Sequence, residues 1–232
     1  MNLDFDGFTL AASSATLADA SAARSDADCV EFRMDLAADP LAALETYDGE
    51  LPLLVTNRAD WEGGEAVDDD RLEALERAIE YDAVGAVDIE LAALSGEKGD
   101  GEVARELADR ASESGVSVVV STHDFERTPP DGEMKRLLRR ACEYGDVGKL
   151  AVTAADRSDS LSLLSATHEL TGEGFSVATM AMGAAGSHTR AVAPVYGSKI
   201  GYAPVDPERA TAPGQYDLRT LRRLIDDLLT FR

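Results

Sequence analysis

Cys29-Val30-Glu31-Phe32-Arg33-Met34-Asp35 is the stretch on which the fold turns. In an extended chain successive side chains point to opposite faces. Val30, Phe32 and Met34 then make an apolar face, while Cys29, Glu31, Arg33 and Asp35 share the other. The strands of a doubly wound sheet are covered by helices on both faces and read as near-continuous apolar runs. This one does not, and the pattern recurs. Asp88 and Glu90 oppose Val87, Ile89 and Leu91; Lys149, Ala151 and Thr153 oppose Leu150 and Val152. In a closed barrel the apolar faces meet outer helices and the polar faces point inward. Charges of both signs inside a barrel, towards the carboxyl ends of its strands, read as an active site.

Outward from these stretches, short apolar runs alternate with longer amphipathic ones. Strands are expected at Phe8–Ala12, Asp28–Met34, Leu51–Asn57, Ala86–Leu91, Val116–Thr122, Gly148–Thr153, Phe175–Ala181 and Ser198–Ala203. Helices are expected between them, among them Asp70–Tyr81, Gly101–Glu113, Gly132–Tyr144, Ser158–Leu170 and Tyr216–Phe231. Leu72, Leu75, Ala78 and Ile79 recur at helical spacing. Strands alternating with helices imply a parallel sheet. Eight units in 232 residues allow 29 residues each, close to the minimal repeat of a (β/α)8 TIM barrel. With no linker, low-complexity tract or sequence repeat, residues 1–232 are expected to form a single domain.

Composition narrows the function. Forty-four acids against 22 bases give a net charge of −22, spread along the chain, with short runs such as Asp68-Asp69-Asp70. Such a surface repels nucleic acid and anionic membranes. Acid excess with only four lysines against 18 arginines points to a halophile's protein. At molar salt the Debye length is about 3 Å, and self-repulsion is screened. The alternative is an ordinary acidic enzyme of the cytosol. There is no stretch of 18 uninterrupted apolar residues, so no transmembrane helix is expected. MNLDFDGFTL lacks the basic and apolar regions of a signal peptide. Cys29 and Cys142 are too few for a disulfide framework or a zinc site. They are expected to be buried thiols in a reducing cytoplasm.

Lys149 lies inside the apolar run Val147–Val152, whereas Lys98, Lys135 and Lys199 lie in or beside polar stretches. Burial disfavours a charged amine, and a free amine is what attack on a carbonyl and Schiff-base formation require. The alternative is a lysine whose stem packs while its head reaches a carboxylate. His123 ends the run Val116–Thr122, one strand before Lys149, where a general acid/base would serve carbonyl chemistry. His168, within an expected helix, and His188, in the glycine-rich loop after the seventh strand, are read as structural. No acidic cluster shows ligand spacing with His or Cys, so no metal is expected.

These residues resemble the type I 3-dehydroquinate dehydratase family. The likeness runs in order through Glu31-Phe-Arg33-Met-Asp35, Thr56-Asn-Arg58 with Glu62-Gly-Gly64, Asp88-Ile-Glu90 and Ser121-Thr-His123-Asp-Phe125. It continues through Gly148-Lys149, Met180-Ala-Met182-Gly183, Arg190, Gly197-Ser198 and Ala212-Pro-Gly-Gln215. The resemblance implies a (β/α)8 barrel, commonly a homodimer, that needs no cofactor. It implies that Lys149 forms an imine with the C3 ketone of 3-dehydroquinate. His123 would remove the C2 proton and protonate the leaving C1 hydroxyl, with Glu62 orienting its ring. Glu31, Arg33 and Arg58 would hold the ring hydroxyls, and Arg190 the carboxylate. Thr211 and Gln215 would close over the ligand, and Met180 and Met182 would line the pocket or simply pack. Among Ala11, Ala12 and Ser13 no first-strand contact stands out, and the last-strand aromatic is Tyr202.

Two rivals bound this reading. A class I aldolase is also a lysine-imine barrel, and the loop Gly183–Gly186 could cradle a phosphate. A non-catalytic barrel binding a shikimate-like anion would keep Arg33 and Arg190 but need no reactive amine.

Overall fold

The computed structural model describes residues 1–205 and 215–230. Its eight strands are β1 (Thr9–Ser14), β2 (Cys29–Arg33), β3 (Leu53–Thr56), β4 (Val84–Glu90), β5 (Ser117–Asp124), β6 (Val147–Thr153), β7 (Val177–Met182) and β8 (Ile200–Pro204). They form one parallel sheet in the order β7-β6-β5-β4-β3-β2-β1-β8. The ends of that order, β7 and β8, come side by side, so the sheet is a nearly closed TIM barrel. No ladder joins them. Instead the Lys199 N–H donates to the Val177 carbonyl at 2.8 Å, and the Thr179 N–H donates to Ser198 Oγ at 3.0 Å. A side-chain hydroxyl thus satisfies a backbone donor that a ladder would otherwise use.

The expected strands are all present, with ends displaced by at most two residues. The hydrophobic pattern does not mark where hydrogen bonding starts and stops. β5 runs on to Asp124, so His123 lies within it. Leu91, read as strand, instead opens a short helix.

The outer helices are α1 (Ala20–Ala23), α2 (Pro40–Glu45), α3 (Asp68–Ala78), α4 (Leu91–Leu94), α5 (Gly101–Glu113), α6 (Asp131–Cys142), α7 (Arg157–Gly172), α8 (Thr189–Val192) and α9 (Leu218–Thr230). Their boundaries have local causes. Asp100 caps α5 by accepting from the Glu102 and Val103 N–H groups, and Asp156 caps α7 in the same way from Ser158 and Asp159. Each is followed by a left-handed glycine, Gly115 at φ 76° and Gly174 at φ 93°. The apolar stripe of α3 (Leu72, Leu75, Ala78) packs with Ile79 on the outward faces of the strands, where Val30, Phe32, Val55, Val87 and Ile89 are buried.

A separate inner layer closes the barrel floor. Leu3 and Phe5, ahead of β1, pack against Cys29, Leu54, Ala86, Val119 and Val147. Cys29 is fully buried as expected, whereas Cys142 is only half-buried at the end of α6. Above this apolar floor the inward side chains become charged, which places the site at the carboxyl ends of the strands.

Candidate active site

The inward charges form one connected network. Lys149, on β6, is 4% exposed, and its Nζ donates to Asp88 Oδ2 on β4 at 2.8 Å. It is therefore buried with its head on a carboxylate. Asp88 Oδ1 accepts from Arg58 Nη2 at 2.8 Å and from Ser121 Oγ at 2.6 Å. Burial alone would raise the Asp88 carboxyl, but the Arg58 and Lys149 charges and these hydrogen bonds outweigh it and hold the group well below the usual carboxylate range. Arg58 follows β3 and is itself fastened, its Nη1 donating to Glu90 Oε1 at 3.0 Å and to Ser121 Oγ at 2.6 Å. Arg71, from α3, holds the other oxygen of Glu90 at 2.7 Å. A buried charge without partners would be costly; here each carboxylate oxygen has at least one.

His123 stands one layer above Lys149. In the β5–β6 register Ser121 faces Lys149 and His123 faces Ala151. Its Nδ1 lies 2.8 Å from Glu62 Oε1, on the turn that follows β3. Burial, aided by the Glu90 and Asp88 carboxylates and opposed by the Arg58 cation, raises the Glu62 carboxyl to about 8. Burial, with the Arg58 and Lys149 cations, pushes the imidazole well below its ordinary value. Both shifts oppose charge separation, so this pair is not a salt bridge in the ordinary sense. It shares one proton until the pH passes about 8. Phe125 stacks on the imidazole, ring centroids 5.9 Å apart, and is half-exposed at the mouth beside Gly63.

The remaining expected residues converge on the same cavity, bounded by Glu31, Arg33, Arg58, Glu62, His123, Lys149, Met180, Met182, Arg190 and Gln215. Glu31 accepts from Ser13 Oγ at 2.5 Å and from Thr56 Oγ1 at 3.2 Å. Asp35 leaves the strand for a short 3-10 turn and grips Arg33 through two bonds of 2.8 and 2.6 Å. Arg190, on α8, is buried without an ion pair among the described residues, and its Nε meets no partner. Burial lowers its pKa to about 10, and an anion entering the cavity would relieve that cost. Thr211 lies outside the described residues. His168 is exposed on α7, edge-on to Tyr196, and His188 precedes α8; neither borders the cavity.

The family model for type I 3-dehydroquinase matches residues 9–229. The chain belongs to the type I 3-dehydroquinase family. It is an enzyme, a hydro-lyase. A 3-dehydroquinate dehydratase of Haloarcula marismortui is 61% identical over 97% of this chain and 98% of its own length, and that of Halobacterium salinarum is 55% identical over 97% and 100%. Both come from halophilic archaea, the setting implied by the acid excess. The crystal structure of 3-dehydroquinate dehydratase from Geobacillus kaustophilus superposes with a TM-score of 0.84 at 28% identity, covering 97% of this chain and 93% of that one.

Sequence reading overlooked several residues of this dehydroquinase site. Ser13 is the first-strand residue that faces the cavity. Asp88 and Ser121 carry the Lys149 ammonium and the Arg58 fork. The alternation in β4 did put Asp88 on the inward face, and it could have been taken as a partner. Which cation it meets depends on β4 and β6 being brought together across β5.

Proposed function

We propose that this chain dehydrates 3-dehydroquinate to 3-dehydroshikimate through a Schiff base on Lys149, as part of aromatic amino acid biosynthesis. The observation that carries the reading is a buried amine at the base of the cavity with an imidazole–carboxyl pair one layer above it. Once the Lys149 ammonium has given up a proton its amine attacks the C3 ketone, and the carbinolamine oxygen takes that proton and leaves as water, giving an iminium. That iminium is an electron sink beside the C2–H bond, so removing the proton forms a neutral enamine. His123 Nε2 takes the proton while Glu62 holds Nδ1–H. The enamine expels the C1 hydroxyl, which His123 protonates as it leaves, and hydrolysis returns the amine.

The same reading gives the other residues their tasks. Glu31 and Arg33, held by Ser13, Thr56 and Asp35, present fixed polar groups to the ring hydroxyls. Arg58 has both terminal nitrogens engaged, so it acts on the ligand chiefly through its charge. Arg190 takes the carboxylate, with Gln215 and Thr211 as further ligand contacts. Residues 1–232 act as one domain, in a cytoplasmic homodimer without nucleic acid or membrane partners. Among the described residues no helix is long and apolar enough to cross a membrane.

The deciding experiment is borohydride reduction in the presence of 3-dehydroquinate, read by intact mass and peptide mapping. The expected result is one adduct per chain, on Lys149. Turnover without a trappable adduct, or an adduct on another lysine, would remove the mechanism.

A further inference from the structure

Tyr202 sits on the inward face of β8, opposite Ala11 of β1, and only 5% of it is exposed. Its ring covers the Lys149 ammonium, with Nζ 4.4 Å from the ring centroid, a cation–π distance. Packing and this contact need only the ring. The hydroxyl is also buried, and among the described residues it has no hydrogen-bond partner. Tyrosine hydroxyls in protein interiors ordinarily find one, and leaving one unsatisfied costs stability. Burial, with the Glu31 and Asp88 carboxylates nearby, keeps the phenol protonated well above its ordinary range, so it is available as a donor. Tyr202 borders the main cavity together with Ser13, Glu31 and Lys149. It also borders a small crevice at the β7–β8 seam.

We propose that Tyr202 is a substrate-contacting residue, its ring seating the Lys149 amine and its hydroxyl donating a hydrogen bond to an oxygen of the small hydroxylated acid bound there. The proposal rests on the lysine-imine reading of this site. The unfilled hydroxyl is then a feature kept for the ligand at the expense of the empty protein, a trade of stability for function. Phenylalanine preserves the ring and its contact with Lys149 while deleting only the donor.

The test compares wild type with Tyr202→Phe in two measurements. Without ligand, Tyr202→Phe should melt at a higher temperature, because it removes a buried unsatisfied group. With 3-dehydroquinate its KM should rise about tenfold, equivalent to about 1.4 kcal/mol, with a smaller change in kcat, and borohydride should still trap the Lys149 adduct. A KM within twofold of wild type overturns the proposal, whatever happens to the melting temperature. A lowered melting temperature overturns it too, since the hydroxyl would then be satisfied within the protein. Failure of wild type to form any adduct would instead strike the imine reading, so the two failures are distinguishable.

Discussion

Lys149 shows how one residue can be costly and indispensable together. Its ammonium is held by Asp88, which in turn is held by Arg58 and Ser121. Lys149→Ala should therefore abolish adduct formation and lower turnover by several orders of magnitude. It should still fold, because Asp88 keeps two partners and is spared the roughly 3–5 kcal/mol of a fully abandoned buried charge. Circular dichroism alongside the rate assay checks both halves; residual activity above a few per cent would contradict the imine. The His123–Glu62 pair makes a pH prediction. With its folded pKa raised from 4.5 to about 8, Glu62 is protonated at neutral pH. Nε2 is free to act as a base, with Nδ1–H donating to a carboxylate, once that proton leaves. The acid limb of kcat should accordingly have its midpoint near pH 8. In Glu62→Gln the amide carbonyl accepts from Nδ1–H at every pH, so the limb should move to lower pH. A limb that stays near 8 would assign the titration elsewhere. The stability sign follows from the same shift: the contribution of protonated Glu62 is complete below about pH 4.5 and is lost as the pH rises through about 8. Melting curves of Glu62→Gln should be flatter over that interval.

At the scale of elements, the turn after β3 does more than connect. It carries Arg58 and Glu62, and it is closed by the Ala59–Ala66 bridge and by the Gly64 N–H donating to the Ala59 carbonyl at 2.9 Å. A β-carbon on Gly64 would come within 2.0 Å of the Arg58 carbonyl oxygen. Backbone cannot retreat as the end of a flexible side chain can, so Gly64→Ala must push the turn outward. It should cost about 1–3 kcal/mol, as overpacking commonly does. It should also depress kcat by at least about tenfold, because a displacement of about 1 Å at a catalytic group is enough for that. Thermal melting and a rate assay test the pair of effects; normal activity in a folded variant would show that the turn does not position Glu62. Some elements were plain in the chain. The ends Gly101–Glu113 of α5 were read correctly because a capping Asp and a following left-handed glycine both lie in the local sequence. The short α8, which carries Arg190, was assigned no element from the sequence. Its four residues are too few to show a helical period, and Thr189 stabilises the segment through contacts to Ala181 and Gly186.

For the whole molecule the dominant number is −22. Surface ion pairs such as Arg139–Glu173 and Lys135–Asp131 offset little of it, since exposed pairs are individually weak. Like-charge repulsion should lower stability in dilute buffer, and salt both screens it and favours burial. From about 0.1 to 2 M KCl the melting temperature is expected to rise by about 4 °C or more, the shift that roughly 1–2 kcal/mol produces in a chain of this size. Activity should rise with it, while KM increases as the Arg190 contact with a carboxylate is screened. A flat or falling melting temperature would mean that the acids serve another purpose. Charge, the eight-fold alternation and the lone lysine in an apolar strand could all be taken from the chain in one dimension, because they depend on residue type and on spacing within a few positions. That was enough for the barrel and for Lys149 and His123 as candidates, whereas Glu62 entered only through the family resemblance. The assignment of Asp88 to Lys149, the choice of Ser13 over Ala11 and Ala12, and the unfilled hydroxyl of Tyr202 could not be had that way. Each depends on which inward side chains meet across the barrel, and that is settled by closure of the sheet between residues far apart in the chain.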